Sequence, residues 1–388
     1  MPPKGLIHTM NFSLTEEHEM IRESAAEFAQ RELAPHAAKW DAEESFSWEA
    51  FQAAGEDGLL GLTIPEEYGG AGLGNLHASL MLEEINRVEP GMGVTISVHM
   101  SLVCGTLIKF GTEQQKEKYL PKLASGEWLG AYAVTEAQAG SDAGSLKCAA
   151  EKVDGGYELT GSKAWITSGA FAQLFVVYAL TDPSAPAGKG ITCFLVEASA
   201  DGFSVGKKEA KLGLRSSSTT EILLDGVFVS DENIVGELNR GFPLALAAID
   251  GGRIGIASQA LGIHRGCLED SVKYASEREQ FGKPINRFQG VAFKLADMAT
   301  ELETARLLVH KAAWLRDEGL PCTKECSMAK LFAAQVCNKA AQDAVQIHGG
   351  AGYTKEFAVE RYYRDARITE IYEGAADVQR IVISRTLS

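Results

Sequence analysis

The stretch Leu174–Leu180, with the sequence LFVVYAL, marks the point where the hydrophobic pattern of this chain changes. It is short, apolar and rich in β-branched and aromatic residues, which is typical of a buried β-strand. Because no segment of helical length and period separates it from its neighbours, we predict antiparallel pairing in a sandwich or barrel. The neighbouring predicted strands are separated by Gly, Asp, Pro or Ser and are Tyr157–Thr160, Ile191–Val196 and Glu221–Val229.

Helical patterns lie on both sides of this β region. On the N-terminal side, Ser13–Glu16 has the pattern of a capping box ahead of a helix that ends before Pro35. Further helices are predicted over Leu76–Arg87 and from Thr112 to Tyr119. On the C-terminal side the helical segments are Leu261–Tyr274, Val291–Leu315, Lys324–Val345 and Ala376–Arg385. The pattern predicts three domains, which span residues 1–128, 129–240 and 241–388.

Composition narrows the function. The chain has 388 residues, 37 Lys and Arg and 52 Asp and Glu, so its net charge of −15 disfavours general binding to nucleic acid. Its apolar runs are of strand length, and we therefore expect no membrane-spanning segment. The N-terminus has no signal-peptide pattern, and Met10 is an alternative start that would make residues 1–9 an extension.

The seven cysteines are scattered, which favours a reducing compartment, the bacterial cytoplasm ahead of the mitochondrial matrix. Cys322 and Cys326 are the one close pair in the sequence, with no second pair or nearby His. We therefore expect them to be packed in a helix and expect no metal site.

Three stretches contain residues suited to chemistry. In Tyr132–Asp142 a strand leads into a loop of small residues, whose hydroxyls and N–H groups suit an anion or the polar edge of a heterocycle; a plain turn is the alternative. In Gly161–Gly169, Trp165 stands between polar residues and is suited to cover an aromatic cofactor; a core tryptophan is the alternative. In Arg364–Asp377, Glu373 has small and apolar neighbours, which favour a raised pKa and a role as a base; capping of the following helix is the alternative.

Taken together, these stretches resemble the acyl-CoA dehydrogenase family from about Phe12 to Ser388. The resemblance implies an α+β multidomain fold with an N-terminal helical domain, a middle antiparallel β-barrel-like domain and a C-terminal four-helix bundle. It also implies an FAD flavoprotein, an oxidoreductase of fatty acid β-oxidation. Such an enzyme converts a short- or medium-chain, or short-branched, acyl-CoA into the trans-2-enoyl-CoA and passes the electrons to electron-transfer flavoprotein. Further matching segments are Lys163–Ser168, Gly206–Ser216, Arg278–Gln289 and Gln346–Gly352.

The resemblance also assigns residues to the flavin. One side of the flavin would be lined by Tyr132, Val134, Thr135, Gly140 and Ser141. Trp165 would cover the ring, and Thr167 would lie near its reactive nitrogen. In the family a neighbouring subunit holds the adenine and pyrophosphate end, which implies an obligate homo-oligomer, usually a tetramer. The matching positions are Arg278, Gln280, Phe281, Gln289, Gln346 and Gly350.

For the substrate, the resemblance implies that Glu373 removes the α-proton of the thioester while a hydride leaves the β-carbon for the flavin. The backbone N–H of Glu373 and a flavin ribityl hydroxyl would stabilise the carbonyl oxygen. Some family members place the base just before the arginine that matches Arg253, but Gly252 stands there and cannot act as a base. The substrate-binding positions are Ser141, Asp250, Arg253, Tyr372 and Gly374.

Two further features bear on the substrate. Members that act on glutaryl-CoA carry an arginine where this chain has Gly93, which disfavours a dicarboxylate, and Gly252–Ile263 is most similar to short-chain members. Ala375 stands where the family usually has Thr or Ser, so a hydroxyl contact to the flavin phosphate region would be lost. The alternatives are an acyl-CoA oxidase, a nitroalkane oxidase, which Glu373 disfavours because those enzymes use Asp, and a non-catalytic binding protein.

Overall fold

The computed structural model describes residues 13–387, so the alternative start at Met10 and the extension 1–9 lie outside the described part. The N-terminal helices are α1 (Glu16–Phe28), α2 (Ala37–Glu43), α3 (Trp48–Glu56), α4 (Asn75–Val88), α5 (Pro90–Val98), α6 (Gly105–Phe110) and α7 (Glu113–Ala124). The middle strands are β1 (Gly130–Ala133), β2 (Ala149–Val153), β3 (Gly156–Thr167), β4 (Leu174–Leu180), β5 (Ile191–Glu197), β6 (Phe203–Lys208), β7 (Thr219–Ser230) and β8 (Ile234–Val235). The C-terminal elements are α8 (Gly241–Glu277), β9 (Glu279–Gln280), β10 (Lys283–Pro284), α9 (Gln289–Asp317), α10 (Thr323–His348), α11 (Val359–Ala366) and α12 (Ala376–Ser384).

The caps of the N-terminal helices follow the sequence with one shift. Thr112 caps α7 as predicted, and the Gln115 side chain accepts a hydrogen bond from the Thr112 N–H. The helix continues past Tyr119 and ends at Ala124. The cap of α1 was predicted in the wrong place, because Thr15 has the extended backbone that a cap needs and accepts a hydrogen bond from His18 N.

The segment Pro90–Phe110 corrects the expectation that every apolar run is of strand length. This segment has 21 residues, and its length and apolar composition would be sufficient to cross a membrane. Gly, Ser, Thr and His interrupt its apolar runs, so the pattern was missed in the sequence. However, 83% of its apolar window is buried inside the protein, and it therefore serves as a core helix between the domains.

The β region forms one sheet in the described part of the chain. The strand order is β6-β7-β3-β2-β4-β5-β8, and β1 pairs with β4 outside this path. Strand β4 has the predicted bounds, and its pairing with β5 is antiparallel, as expected. Purely antiparallel pairing was wrong, however, because β1 lies parallel to β4 and β2 meets β4 at one parallel bridge.

The C-terminal part is built on the long helix α8. It has 37 residues, which corresponds to about 55 Å, and packs against α9 and α10 of its own domain and against α4 and α5 of the N-terminal domain. Glycines let neighbouring elements approach it closely: a Cβ atom added at Gly262 would lie 2.5 Å from the Glu83 carbonyl oxygen on α4. This helix therefore carries residues of the bundle to the N-terminal and middle domains.

The sheet core gives a first test. Phe175 on β4 is completely buried, whereas Phe228 on β7 is 52% exposed. We expect Phe175→Ala to lower the free energy of unfolding by about 3–5 kcal/mol, because it leaves a cavity. Phe228→Ala is the matched control and should change the free energy of unfolding by about 0.5 kcal/mol or less. Urea unfolding at one fixed protein concentration measures both, and equal losses would contradict the assignment of the core.

Candidate functional site

Glu373 lies in the short link before α12, opposite the N-terminal third of α8. A Cβ atom added at Gly252 would lie 2.7 Å from Glu373 Oε2 and 3.0 Å from Leu102 Cδ2. Because Gly252 has no side chain, it leaves room for the carboxylate of Glu373, which comes from the C-terminal end of the same domain in the sequence. A side chain at position 252 and the carboxylate of Glu373 would compete for the same space.

The electrostatics of Glu373 suit a base. It keeps some exposure, yet burial raises the pKa of its carboxyl group to about 7, against the opposing effect of the Lys330 and Arg253 charges. The capping alternative does not hold, because Ala375 is the N-cap of α12 and no side chain caps it. A carboxylate with a pKa near neutrality can accept a proton and also release it.

The predicted substrate residue Arg253 is held next to this carboxylate. It is 6% exposed and donates from Nη1 to Asp250 Oδ1 at 2.8 Å and to Ser327 Oγ at 3.3 Å. Asp250 Oδ2 accepts a second hydrogen bond, from Thr323 Oγ1 at 2.6 Å. The buried Nε of Arg253 has no hydrogen-bond partner among residues 13–387, so one donor is free for a ligand.

Two further predicted substrate positions adjoin the base. The Tyr372 hydroxyl donates to Gln259 Oε1 on α8, and the amide of Gln259 donates to the Pro90 carbonyl oxygen at 3.0 Å. Gly374 follows Glu373 and has a φ of +91°, in the left-handed region. Arg253, Tyr372, Glu373 and Gly374 are thus brought together around the middle of α8, whereas Ser141 lies in an exposed loop of the β domain.

Trp165 is exposed at the end of β3. Its exposed fraction is 62% and its φ is +62°, so the core-tryptophan alternative is wrong. The backbone there is tied to the loop after β1, because Ala164 N donates to Thr135 O at 2.9 Å. On the other side, Ser168 N donates to Ser218 O at 2.7 Å. An exposed aromatic ring in a conformation that non-glycine residues rarely adopt indicates a surface shaped for a ligand.

A buried ion pair fixes this arrangement, and sequence reasoning missed it. Lys163 is completely buried and its Nζ lies 2.7 Å from Oε1 of Glu136, which is 4% exposed. Burial disfavours the ionised form of Glu136, but the Lys163 charge and the N–H groups of Lys147 and Cys148 outweigh it and lower the pKa. A charged residue inside each of the two motifs was the signal that could have found this pair.

The residues predicted to line the flavin take different environments. Tyr132 and Val134 are buried at 8% exposure each, and the remaining members are half-buried or exposed: Thr135, Thr167, Gly140 and Ser141. Burial, with a smaller effect of the Glu373 charge, raises the pKa of Tyr132. The Tyr132 hydroxyl donates to the Ala245 carbonyl oxygen on α8 at 3.4 Å. The motif ends of β1 and β3 therefore adjoin each other, and β1 also contacts α8.

This region fits the flavin that the resemblance implies. Trp165 offers an exposed aromatic face, and the hydroxyl of Ser218 is buried without a hydrogen-bond partner in the described part of the chain. A Cβ atom added at Gly140 would meet no atom within 4 Å, so the loop leaves open space beside its backbone. Stacking surface, hydroxyls and accessible N–H groups together match the face and the polar edge of such a ring.

The second predicted flavin group lies elsewhere. Arg253 and Arg278 are 25 positions apart on one continuous helix and its C-cap, which separates them by about 37 Å. Tyr274 on α8 stacks on His348 of α10 at 4.2 Å, so both helix ends meet at the far end of the bundle. The exposed residues of this group are Arg278, Gln280, Phe281, Gln289, Gln346 and Gly350. One chain therefore does not bring the two groups into one site.

Comparisons with known proteins find relatives along nearly the whole chain. Family models match three consecutive regions: acyl-CoA dehydrogenase N-terminal domain at residues 15–127, middle domain at 131–227 and C-terminal domain at 239–388. A short-chain specific acyl-CoA dehydrogenase of Clostridium acetobutylicum is 46% identical, over 97% of this chain and 99% of that protein.

Two solved structures are also similar along nearly the whole chain. Butyryl-CoA dehydrogenase from Megasphaera elsdenii has a TM-score of 0.96 at 42% identity, with 97% of this chain and 100% of that chain covered. A chain solved in work on the electron transferring flavoprotein of Acidaminococcus fermentans has a TM-score of 0.96 at 46% identity, with 97% and 99% covered.

The buried ion pair beside Trp165 generates a prediction. Lys163→Met should lower the free energy of unfolding by about 3–5 kcal/mol, because it leaves the Glu136 carboxylate buried without its partner charge. The control is Lys152→Met, which removes the exposed pair with Asp231 and should cost about 1 kcal/mol or less. Urea unfolding of both variants is the measurement, and a Lys163→Met loss as small as that of the control would refute the anchoring role.

Proposed function

Since the chain belongs to the acyl-CoA dehydrogenase family, we propose that it oxidises short-chain acyl-CoA thioesters to trans-2-enoyl-CoA, with FAD as its cofactor. The single observation that carries the proposal is the Glu373 carboxylate, with its pKa raised by burial to about 7, opposite Gly252. Arg253 is held one residue beyond Gly252 on the same helix.

The chain's own residues supply the proton chemistry. Glu373 accepts the proton of the carbon α to the thioester carbonyl. The backbone N–H of Glu373 stabilises the charge that develops on the carbonyl oxygen. Arg253, with its free Nε, orients the substrate beside α8. When bound, FAD supplies the two-electron acceptor for the hydride that leaves the β-carbon. Partial burial of Glu373 reduces the water around the reacting carbons.

The flavin would be held by the motif residues at the ends of β1 and β3. Trp165 would cover the ring, Thr135 and Thr167 would offer hydroxyls, and Gly140 and Ser141 would offer backbone N–H groups. Ala375 leaves α12 without a side-chain cap, so this position offers no hydroxyl to a phosphate. The distant group around Arg278 would serve the flavin of a second subunit, which supports a homo-oligomer, by family analogy a tetramer.

Electron-transfer flavoprotein is the proposed electron acceptor, supported by the likeness to the chain solved in work on such a protein. An oxidase on the same fold is the alternative. An oxidase would consume oxygen during turnover, whereas a dehydrogenase would need an electron-accepting dye, so measuring both activities separates the two. All seven cysteines are buried free thiols, which supports the cytoplasm as the proposed location, with the mitochondrial matrix second.

Short acyl chains are favoured by the packing around the base. Leu102 Cδ2 and Glu373 Oε2 lie 3.0 Å and 2.7 Å from a Cβ atom added at Gly252, so we propose that Leu102 limits the space beyond the reacting carbons. A dicarboxylate is disfavoured, because Gly93 offers no cationic side chain for a second carboxylate. A Cβ atom added at this position in α5 would overlap the Asn86 side chain. An arginine at position 93 would therefore require Asn86 to move.

The base is tested by Glu373→Gln. In the FAD-loaded wild type, anaerobic butyryl-CoA should bleach the flavin absorbance, and Glu373→Gln should bleach it at least about 1000-fold more slowly, because no other group takes the proton. Asp377→Asn, four residues on and exposed, is the control and should bleach at the wild-type rate. Wild-type bleaching by Glu373→Gln would overturn the proposed function.

The raised pKa gives a pH profile. A base acts when it is deprotonated, so kcat/KM should be high above pH 7 and fall as the pH drops through about 7. Steady-state assays with butyryl-CoA between pH 5 and 9 check this expectation. A kcat/KM that stays constant from pH 9 down to about pH 5.5, as expected for an ordinary carboxyl group with a pKa of about 4.3, would contradict the description of the site.

Chain length is tested by Leu102→Ala. Removal of this buried side chain should raise the kcat/KM ratio of hexanoyl-CoA to butyryl-CoA about tenfold or more, because each extra methylene is worth about 0.8 kcal/mol when buried. Leu107→Ala, an equally buried leucine on α6, is the control and should leave the ratio unchanged. An unchanged ratio in Leu102→Ala would remove Leu102 from the pocket. A panel of straight and branched acyl-CoA substrates gives the wild-type ranking.

A further inference from the structure

Two buried side chains from different helices bind the main chain at the base. Lys330 on α10 is 1% exposed, and its Nζ donates to the Gly374 carbonyl oxygen at 2.8 Å. Gln379 on α12 is completely buried, and its Nε2 donates to the carbonyl oxygens of Glu373 at 3.1 Å and Gly374 at 2.9 Å. The Gly374 carbonyl oxygen thus accepts from both helices.

These bonds hold a backbone that would not persist by itself. Glu373 has a φ of +50° and Gly374 a φ of +91°, and a glutamate rarely adopts such a value unless its surroundings impose it. Position 374 also needs glycine, because an added Cβ atom would lie 2.5 Å from Gln379 Nε2. The left-handed link directs the Glu373 side chain toward Gly252.

Lys330 also adds a charge that packing alone does not need. A buried ammonium is costly, and a methionine of similar length would fill the same space without that cost. Burial, with a smaller effect of Arg253, lowers the pKa of Lys330 to about 8, while Glu373 and Glu370 oppose the shift. The Lys330 charge in turn opposes the rise in the pKa of Glu373.

From these contacts we infer that Lys330 and Gln379 are positioning residues: together they fix the Glu373–Gly374 main chain so that the carboxylate faces the substrate, and Lys330 favours its ionised form. The inference rests on the proposed role of Glu373. The charged and titratable groups around Glu373 are Arg253 with Asp250 on α8, Lys330 on α10, Glu370 and Tyr372 in the link, and Tyr132 on β1.

The test separates charge from geometry in the FAD-loaded enzyme. Lys330→Gln removes the charge but keeps a donor, and Lys330→Met removes both. Gln379→Met removes a donor without changing the charge. Lys339→Met is the control on the same helix, since Lys339 is exposed and paired with Glu301. The measurement is the pH profile of kcat and kcat/KM with butyryl-CoA, with flavin absorbance and thermal unfolding as checks on folding.

Both Lys330 variants should move the midpoint of the profile up by about one pH unit, because loss of a nearby positive charge raises the pKa of a carboxyl group. Lys330→Met should also lose more kcat than Lys330→Gln. Gln379→Met should lower kcat about 10- to 100-fold at an unchanged midpoint, because the base is displaced. Lys339→Met should match the wild type.

The inference is overturned if the midpoint of Lys330→Gln stays within about 0.2 pH units of the wild type, or if Gln379→Met keeps the wild-type kcat. If Lys330→Met does not fold, Lys330→Gln alone decides the charge effect. The outcome stays distinct from that of the proposed function. An inactive Glu373→Gln with an unmoved Lys330 midpoint removes only the positioning role, whereas an active Glu373→Gln removes the base itself.

Discussion

The contact between the Glu373 carboxylate and the bare backbone at Gly252 constrains the rest of the site. A carboxylate that approaches a helix this closely needs a glycine on that helix and a link that bends through left-handed conformations. It also needs buried donors that hold the link, which Lys330 and Gln379 supply. The glycine at position 252, the left-handed link and the buried donors therefore depend on one another.

The helix α8 places this contact within the whole molecule. Its first third carries Gly252 and Arg253, while its C-cap is Arg278, about 37 Å from Arg253. The segment Pro90–Phe110 packs on the same helix and brings Leu102 to the base. One continuous helix therefore connects Gly252 beside Glu373, the buried Arg253, the segment that carries Leu102 and the exposed group at Arg278.

Sequence reasoning reached much of this account. The change of period at Leu174–Leu180 predicted the α, β, α order, which the three matching family regions confirm, and the family resemblance indicated Glu373. Contacts between residues far apart in the sequence could not be predicted in this way. Lys163 and Glu136 each stand out as a charged residue within a motif, but the sequence does not show that they pair. Nothing local reveals that Lys330 donates to a carbonyl oxygen 44 positions away. The helix at Pro90–Phe110 was missed because polar residues interrupt its apolar runs. The prediction of antiparallel pairing was wrong for β1 and β4, because strand direction depends on tertiary packing.

The most direct measurement is proton exchange at the substrate. The FAD-loaded enzyme is incubated anaerobically with butyryl-CoA in D₂O, and deuterium at the α-carbon of the recovered thioester is measured by mass spectrometry. If Glu373 is the base, the wild type incorporates deuterium and Glu373→Gln incorporates it no faster than buffer alone. Equal incorporation by the two proteins would contradict the central claim that this carboxylate removes the α-proton.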